Sequence, residues 1–302
     1  MSKRFGELKV VAHSEIDRLK WNQMAALAQF PYFMHTDYLD ACWPEWDALI
    51  LGDYEAALPL KIKKKLVWSI ALHPLFIRSI EVLGDTTKST VLSDWLQENV
   101  DFFKLCFVKS FSNLENEERL FQILPLDSAY IEIRKQYSEN VKRKLKSFEK
   151  SGLQVTEGNN IEGLIQLFKA EKADVYEQMN EKALTHLAQL MEAYLTNGRG
   201  KLVEVRSQYQ LLAAAFFIVQ EKKCLYLKGI VNAEGKKIGG MQALFDMVIQ
   251  EGANRLEYLD FGGSNDAGLA AFNRKFGSND FKYVLLKQNK LPWPFNWLAD
   301  RK

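Results

Sequence analysis

Asp260 closes an apolar, alternating run and is followed by two glycines, in the stretch Leu256 to Gly277: L-E-Y-L-D-F-G-G-S-N-D-A-G-L-A-A-F-N-R-K-F-G. A carboxylate at a strand end can accept a proton or orient a polar substrate, and it can equally cap the turn that follows. Gly262 and Gly263 permit backbone conformations closed to other residues, and Ser264, Asn265 and Asp266 are good N-cap types. A strand end, a Gly-rich break and a helix start make either a ligand site or an ordinary tight connection. Two cationic runs are further candidates. Lys61, Lys63, Lys64 and Lys65 suit a solvated strand edge or an anion site. Lys142, Lys146 and Lys150 form an i, i+4, i+8 row beside Arg143 and Lys144, which is either a solvated helix face or, turned toward a cleft, a phosphate-binding one.

Other chemistries fall away. Cys42, Cys106 and Cys224 are odd in number and never in a C-x-x-C pair, so neither a disulfide framework nor a zinc site is indicated, and a reducing cytoplasm is expected. His35 has no metal-spaced neighbour and reads as structural. Nothing orients a Cys224–His186 dyad, and P-loop, G-x-S-x-G and Rossmann fingerprints are missing.

The elements that must position these residues follow from periodicity. Ile16, Leu19, Met24 and Leu27 mark a first helix, and a hairpin runs from Trp46 to Lys63 around Gly52-Asp53. Val67 to Leu72 continues as strand, then come a helix from Thr87 to Val100 and a strand from Phe102 to Val108. Ser112 to Leu120 is expected as a short charged helix, with strands at Phe121 to Leu124 and Tyr130 to Ile133. Tyr137 to Lys150 is a helix with Val141, Leu145 and Phe148 inward, and the domain joint is placed just before it. Two more helices follow at Ile161 to Phe168 and Leu184 to Tyr194, separated by a loop, A-D-V-Y-E-Q-M-N. Next come a hairpin from Lys201 to Gln220 and a strand from Cys224 to Ile230. A polar loop then leads to Gly239-Gly240 and a helix from Met241 to Glu251.

A chain of 302 residues with 47% apolar content can build two cores. Forty basic against 38 acidic residues leave a net charge of +2, so no global field argues for nucleic acid, and DNA is not an expected partner. The N-terminal M-S-K-R-F-G-E-L-K lacks the apolar core of a signal peptide, and no apolar run approaches the roughly 18 residues of a membrane span. Shifting the chain by 155 residues superimposes Tyr54 on Tyr209, Gly84 on Gly239, Phe103 to Val108 on Tyr258 to Gly263, and Phe121 on Phe276. One offset spanning hairpin, helix, strand and helix predicts two copies of one fold, residues 1–136 and 137–302. Cys106, Phe107 and Val108 stand where the second copy has Phe261, Gly262 and Gly263, so an open glycine loop is expected only in the second half.

The segment Y-S-E-N-V-K-R-K-L-K-S-F-E-K-S-G-L at 137 to 153, followed at a distance by Y-L-D-F-G-G-S-N, a short helix and F-G, resembles the GNAT-related proteins of the FemA/FemB/FemX type. Those proteins transfer amino acids from aminoacyl-tRNA to peptidoglycan precursors. The resemblance implies a mixed α/β fold of two tandem GNAT-like domains, each a central, mostly antiparallel sheet flanked by helices, with a V-shaped opening between neighbouring strands. It implies an acyl- or aminoacyltransferase acting on an amine acceptor in cell-envelope metabolism. Acyl-CoA or aminoacyl-tRNA would be the donor, with no permanently bound cofactor, and tRNA becomes a candidate partner. The donor turn would be Gly239, Gly240 and Met241 in K-K-I-G-G-M, where Met241 occupies a position the CoA-binding pattern gives to a small residue. Asp260 is the catalytic candidate. Tyr226, Lys228, Phe261, Gly262, Gly263, Asn265 and Arg274 are the cleft candidates, and Lys142, Arg143 and Lys146 the anion-binding ones. Two other readings stay open: a non-catalytic scaffold that keeps the two-domain shape, and a tRNA-binding module acting through the basic helix.

Overall fold

The structure, a computed structural model, describes residues 7–110, 114–172, 180–208, 210–263 and 266–300. Asn265, Tyr209, the central part of the loop after the Ile161 helix and the start of the expected Ser112 helix lie outside these. The chain forms two compact units, Met1–Arg119 with Lys282–Lys302, and Leu120–Phe281.

In the first unit, β1 (Leu8–Val11) leads to α1 (Arg18–Ala26), α2 (Pro31–Met34) and α3 (Thr36–Cys42). Asp17 caps α1, its Oδ1 accepting from the amides of Leu19 and Lys20 at 3.0 and 3.1 Å. The buried face of α1 carries Trp21 and Ala25, while Leu19 and Leu27 are exposed, so the stripe expected from apolar spacing is rotated. β2 (Asp47–Leu51), β3 (Ala56–Leu60), β4 (Ile62–Lys65) and β5 (Trp68–Leu72) follow, then β6 (Leu83–Gly84), α4 (Ser89–Asn99) and β7 (Phe102–Phe107). One antiparallel sheet runs β1-β2-β3-β6. In the other, β4 pairs antiparallel with β5, and β5 runs parallel to β7.

The chain leaves this unit within β8 (Glu115–Pro125). The second unit then adds α5 (Tyr130–Lys135), α6 (Glu139–Lys150), β9 (Val155–Gly158), α7 (Ile161–Lys172) and α8 (Glu181–Thr196). β10 (Gly200–Ser207), β11 (Gln210–Gln220) and β12 (Lys223–Val231) form an antiparallel meander on β9. α9 (Ala233–Ile238) and α10 (Gly240–Gly252) precede β13 (Tyr258–Gly263), which runs parallel to β12 and antiparallel to β8. After α11 (Ala267–Arg274) the chain returns to the first unit within β14 (Asn279–Asn289), antiparallel to β7, and ends in α12 (Phe295–Asp300). The fold is thus mixed α/β with mostly antiparallel sheets, and each unit holds a parallel pair followed by an antiparallel strand. That last strand comes from the other half of the sequence: β8 beside β13, and β14 beside β7.

This exchange moves the domain joint. The compact units divide at residues 119/120 and 281/282, not between 136 and 137, because the end of β8 and α5 pack with the second half. It also explains the charged run after residue 112, expected as a helix. Glu115 to Leu120 is the exposed half of β8, and Glu118 and Glu117 pair with Lys282 and Lys287 of β14 at 2.7 and 2.6 Å. Cross-strand partners more than 160 residues away, invisible to local periodicity, satisfy those charges. Tyr130 to Ile133, expected as a strand, is helical. Four alternating residues do not decide a period, and a Lys135–Glu132 pair at 2.7 Å braces the helix. The expected polar loop before Gly239 is α9, capped by Asn232, whose Oδ1 accepts from the Gly235 amide at 2.8 Å.

Candidate functional site

β12 and β13 are hydrogen-bonded only from Lys223 to Leu225 against Tyr258 to Asp260. Beyond that β12 runs on to Val231, while β13 turns at Gly262, whose φ of +77° belongs to the left-handed region that favours glycine. The register of β12 against β11 jumps from Tyr226 to Lys228, leaving Leu227 as a bulged residue with no partner opposite it. A parallel pair that separates, with a bulge on one lip, gives a cleft walled by backbone as well as by side chains.

Two adjoining cavities of about 330 and 210 Å3 occupy this opening and share Tyr226, Gly229, Ile230, Leu269 and Asn273. The larger reaches Lys236, Met241, Gln242, Phe245 and Phe272; the smaller reaches Phe168, Lys228, Phe261, Gly262 and Gly263. Aromatic rings form much of the wall. Phe245 lies 4.9 Å from the Tyr226 ring, 5.1 Å from Phe261 and 5.7 Å from Phe272, centroid to centroid. Phe261 is both wall and core, since it also belongs to the buried cluster around Phe245 and Phe276. Lys228 brings its Nζ 4.5 Å over the Phe168 ring, a cation–π contact at the cavity edge.

The Gly239 turn lies at the larger cavity. Gly239 has φ +87°, ends α9 and is the N-cap residue of α10, where no side chain caps the helix. The first amides of α10 therefore have no intrahelical acceptor, and they stand beside Lys236 and Met241 on the cavity wall. α6 holds this turn from behind. Lys144 Nζ donates to the carbonyls of Lys236 and Lys237 at 2.8 and 3.0 Å, and a Cβ on Gly239 would lie 2.6 Å from the Lys144 carbonyl oxygen. This contact of Lys144 is not legible from the basic row, which lies on the opposite face of α6. On that face Lys142 is paired with Glu139 at 3.0 Å, Arg143 and Lys146 are exposed, and none of the three lines the cleft.

Asp260 is fully buried and absent from both cavity walls; its Oδ1 accepts from the Gly262 amide at 2.8 Å, so it shapes the glycine turn from beneath. Arg274 also points elsewhere. It donates to both carboxylate oxygens of Asp280 at 2.7 to 3.0 Å, and the guanidinium holds the Asp280 carboxyl below its usual range. Asn273, its neighbour, is the buried polar group on the cleft wall. Its Nδ2 donates to Gln122 Oε1 at 3.0 Å, and Gln122 Nε2 donates to Asp280 at 3.0 Å, so a strand of the first half orients a cleft residue of the second. Behind the cleft, Tyr130 donates to Asp246 of α10 at 2.8 Å, and burial pushes the Asp246 carboxyl up.

Between the corresponding strands of the first unit the gap is closed at Ile80, and a separate cavity of about 280 Å3 lies beyond it, lined by Ile80, Glu81, Phe107, Val108 and Lys109. After β5 the chain returns so that Ile80 bridges Phe107 in parallel, with Ile80 N donating to Cys106 O at 2.9 Å and Val108 N to Ile80 O at 3.1 Å. His73 locks the junction. Its Nδ1 accepts from the Cys106 amide at 3.1 Å and its Nε2 donates to Ile77 O at 2.8 Å, and burial lowers its pKa to about 4. Phe107 and Val108 stand where the second half has Gly262 and Gly263, and they line that cavity with their side chains.

Residues 135–283 match the acetyltransferase (GNAT) domain family. Among solved structures, FemX superposes with a TM-score of 0.66 at 12% identity, covering 94% of this chain and 98% of that one. A tandem GNAT protein from the clavulanic acid biosynthesis pathway has a TM-score of 0.56 at 12% identity, covering 95% and 99%. L-PGS from Bacillus licheniformis has a TM-score of 0.54 at 13% identity, covering 85% and 90%. A comparison with curated protein sequences gives no match.

Proposed function

We propose a function for a chain whose residues 135–283 are a GNAT-type acetyltransferase domain within a Fem-like fold: transfer of an acyl or aminoacyl group to an amine in the cleft between β12 and β13. The observation that carries this reading is the separation of that parallel pair beyond Leu225, with Leu227 bulged into the opening and the uncapped start of α10 at its end. The donor's anionic portion meets the first amides of α10 and Lys236. Met241 narrows the place where a pyrophosphate would approach the turn, which favours an aminoacyl-tRNA donor over acyl-CoA. The donor carbonyl lies against β12, where backbone N–H groups around the bulge polarise it as negative charge develops on the oxygen. The attacking amine enters by the smaller cavity, past Lys228 and Phe261.

Acyl transfer needs that amine neutral. Among the described residues no carboxylate lines either cavity, and Asp260 accepts from the Gly262 amide at the turn. The Lys228 ammonium at the smaller cavity repels a second cation, which favours the unprotonated amine. Attack by that amine forms the new C–N bond as the donor's ester or thioester bond breaks, and the proton released by the nitrogen goes to the departing alkoxide or thiolate. A cell-envelope acceptor fits this reading, as does a reducing compartment for three free cysteines.

Equilibrium binding of charged tRNA and of an acyl-CoA panel to the wild type and to Met241→Trp tests the site. Wild type is expected to bind a donor and Met241→Trp to lose it. Failure of every donor to bind at high concentration would sink the proposal. The buried Asp260 also favours a second reading, a non-catalytic binding protein with the same cleft, which predicts donor binding without product in a single-turnover assay.

A further inference from the structure

The first unit carries an exposed apolar and cationic end that the transferase cleft does not use. The hairpin of β4 and β5 pairs Lys65 with Trp68, leaving Leu66 and Val67 as a two-residue loop, 79% and 82% exposed. Leu66 has φ +59°. A two-residue hairpin loop with a left-handed first position is the place for glycine, and a leucine there is strained and gains nothing from packing. Beside the loop, Phe295 packs on Trp68 with ring centroids 4.7 Å apart and planes tilted by 51°, and Asn289 Nδ2 donates to Asn296 O at 3.0 Å, pinning the C-terminal segment against the strands. That segment presents Trp293, 81% exposed, and Trp297, 52% exposed. Lys63, Lys64 and Lys65 are exposed immediately next to the loop.

We propose that this end of the first unit docks on the surface of a bilayer containing anionic lipid. Leu66 and Val67 enter the acyl boundary, Trp293 and Trp297 lie at headgroup level, and the three lysines meet lipid phosphates while their stems stay with the apolar phase. Charge decides between occupants. A second copy docking on itself would set two lysine clusters against each other, and single-stranded RNA, which could stack on Trp293 and Trp297, would leave the aliphatic tip of Leu66 and Val67 in water. An anionic bilayer satisfies the aliphatic tip, the indoles and the lysines together.

Cosedimentation of the full chain with phosphatidylcholine vesicles, with and without phosphatidylglycerol, tests this. Binding is expected to the anionic vesicles, weakened by salt, with bromolipids quenching tryptophan emission. Leu66→Gly and Trp293→Ser are each expected to weaken binding about tenfold, and the Lys64→Glu/Lys65→Glu pair also by about tenfold. Leu66→Gly is expected to keep or raise the urea midpoint, because glycine relieves the left-handed position, so its loss of binding is not a loss of fold. Three results would overturn the proposal: no sedimentation with anionic vesicles, vesicle binding unchanged by both apolar substitutions, or a wild-type dimer that Trp293→Ser dissociates without any vesicle binding.

Discussion

Gly239→Ala tests the donor turn most directly, because the structure supplies its own control. Gly239 and Gly152 both have left-handed φ, +87° and +70°. At Gly152 an added Cβ meets nothing within 4 Å, whereas at Gly239 it would meet the Lys144 carbonyl oxygen at 2.6 Å and the Lys144 Cβ at 3.0 Å. The shared term is the cost of placing alanine in the left-handed region, about 1 to 2 kcal/mol. Only Gly239→Ala adds overpacking against helix backbone that cannot swing aside as a side chain would, about 1 to 3 kcal/mol more. The two variants should therefore differ by about 2 kcal/mol in the unfolding of the second unit, roughly 1 M in urea midpoint. Urea titrations followed by a probe in that unit measure this. The same displacement tilts the first amides of α10, so donor affinity should fall about tenfold or more in Gly239→Ala and stay unchanged in Gly152→Ala. Equal destabilisation by the two substitutions would refute the close approach of the turn to α6. A normal donor affinity in Gly239→Ala would refute the placement of the donor.

Protonation of His73 should unzip the closed seam of the first unit. Its folded pKa of about 4 lies below the unfolded value near 6.5, so the unfolded chain binds more protons between those values; stability is fully present above about pH 6.5 and is lost as pH falls toward 4, by at most about 3 kcal/mol. Denaturation at stepped pH should show this loss in wild type and not in His73→Gln; equal slopes would contradict it. Burial raises the Cys106 thiol to about 11 and pushes Cys224 up as well, so iodoacetamide should leave both unmodified in native protein and label them in urea, as read by mass spectrometry. Asp260→Asn keeps an acceptor for the Gly262 amide and should keep turnover within about threefold, while Asp260→Ala orphans that amide and should cost about 1 to 3 kcal/mol. Inactivity of a folded Asp260→Asn would restore the carboxylate as proton acceptor.

What was legible in the sequence was local. Alternation, two glycines and three N-cap types fixed strand, turn and helix around residues 256–277, and Asp266 does cap α11, its Oδ1 accepting from the Leu269 amide at 2.9 Å. The offset of 155 residues relates the β2–β3 hairpin to β10–β11 and β7 to β13, but it fails at Phe121 and Phe276, which lie in β8 and between α11 and β14. The illegible parts depend on distant partners. β8 looked helical because the lysines that pair its acids lie on β14, and the exchange of these two strands leaves no local trace. Asp260 could not be assigned to the cleft or to the interior by a period of two. It is in register with Leu225 on one side and Ile123 on the other, and that central position, shown only by the assembled sheet, buries its carboxylate.

The two halves also show how one sheet geometry yields an open cleft or a sealed seam. Each has a parallel pair, and in each the strands begin to separate after three registered positions. In the first half the segment around Ile80 fills the gap, held by His73 and packed beneath Phe107. In the second, Gly262 and Gly263 contribute no side chains, and α9 follows β12 where the first half has the bridging segment. Whether a third segment bridges the gap thus follows the strand end: Phe107 is bridged by Ile80, whereas Gly262 and Gly263 turn away and line the cleft.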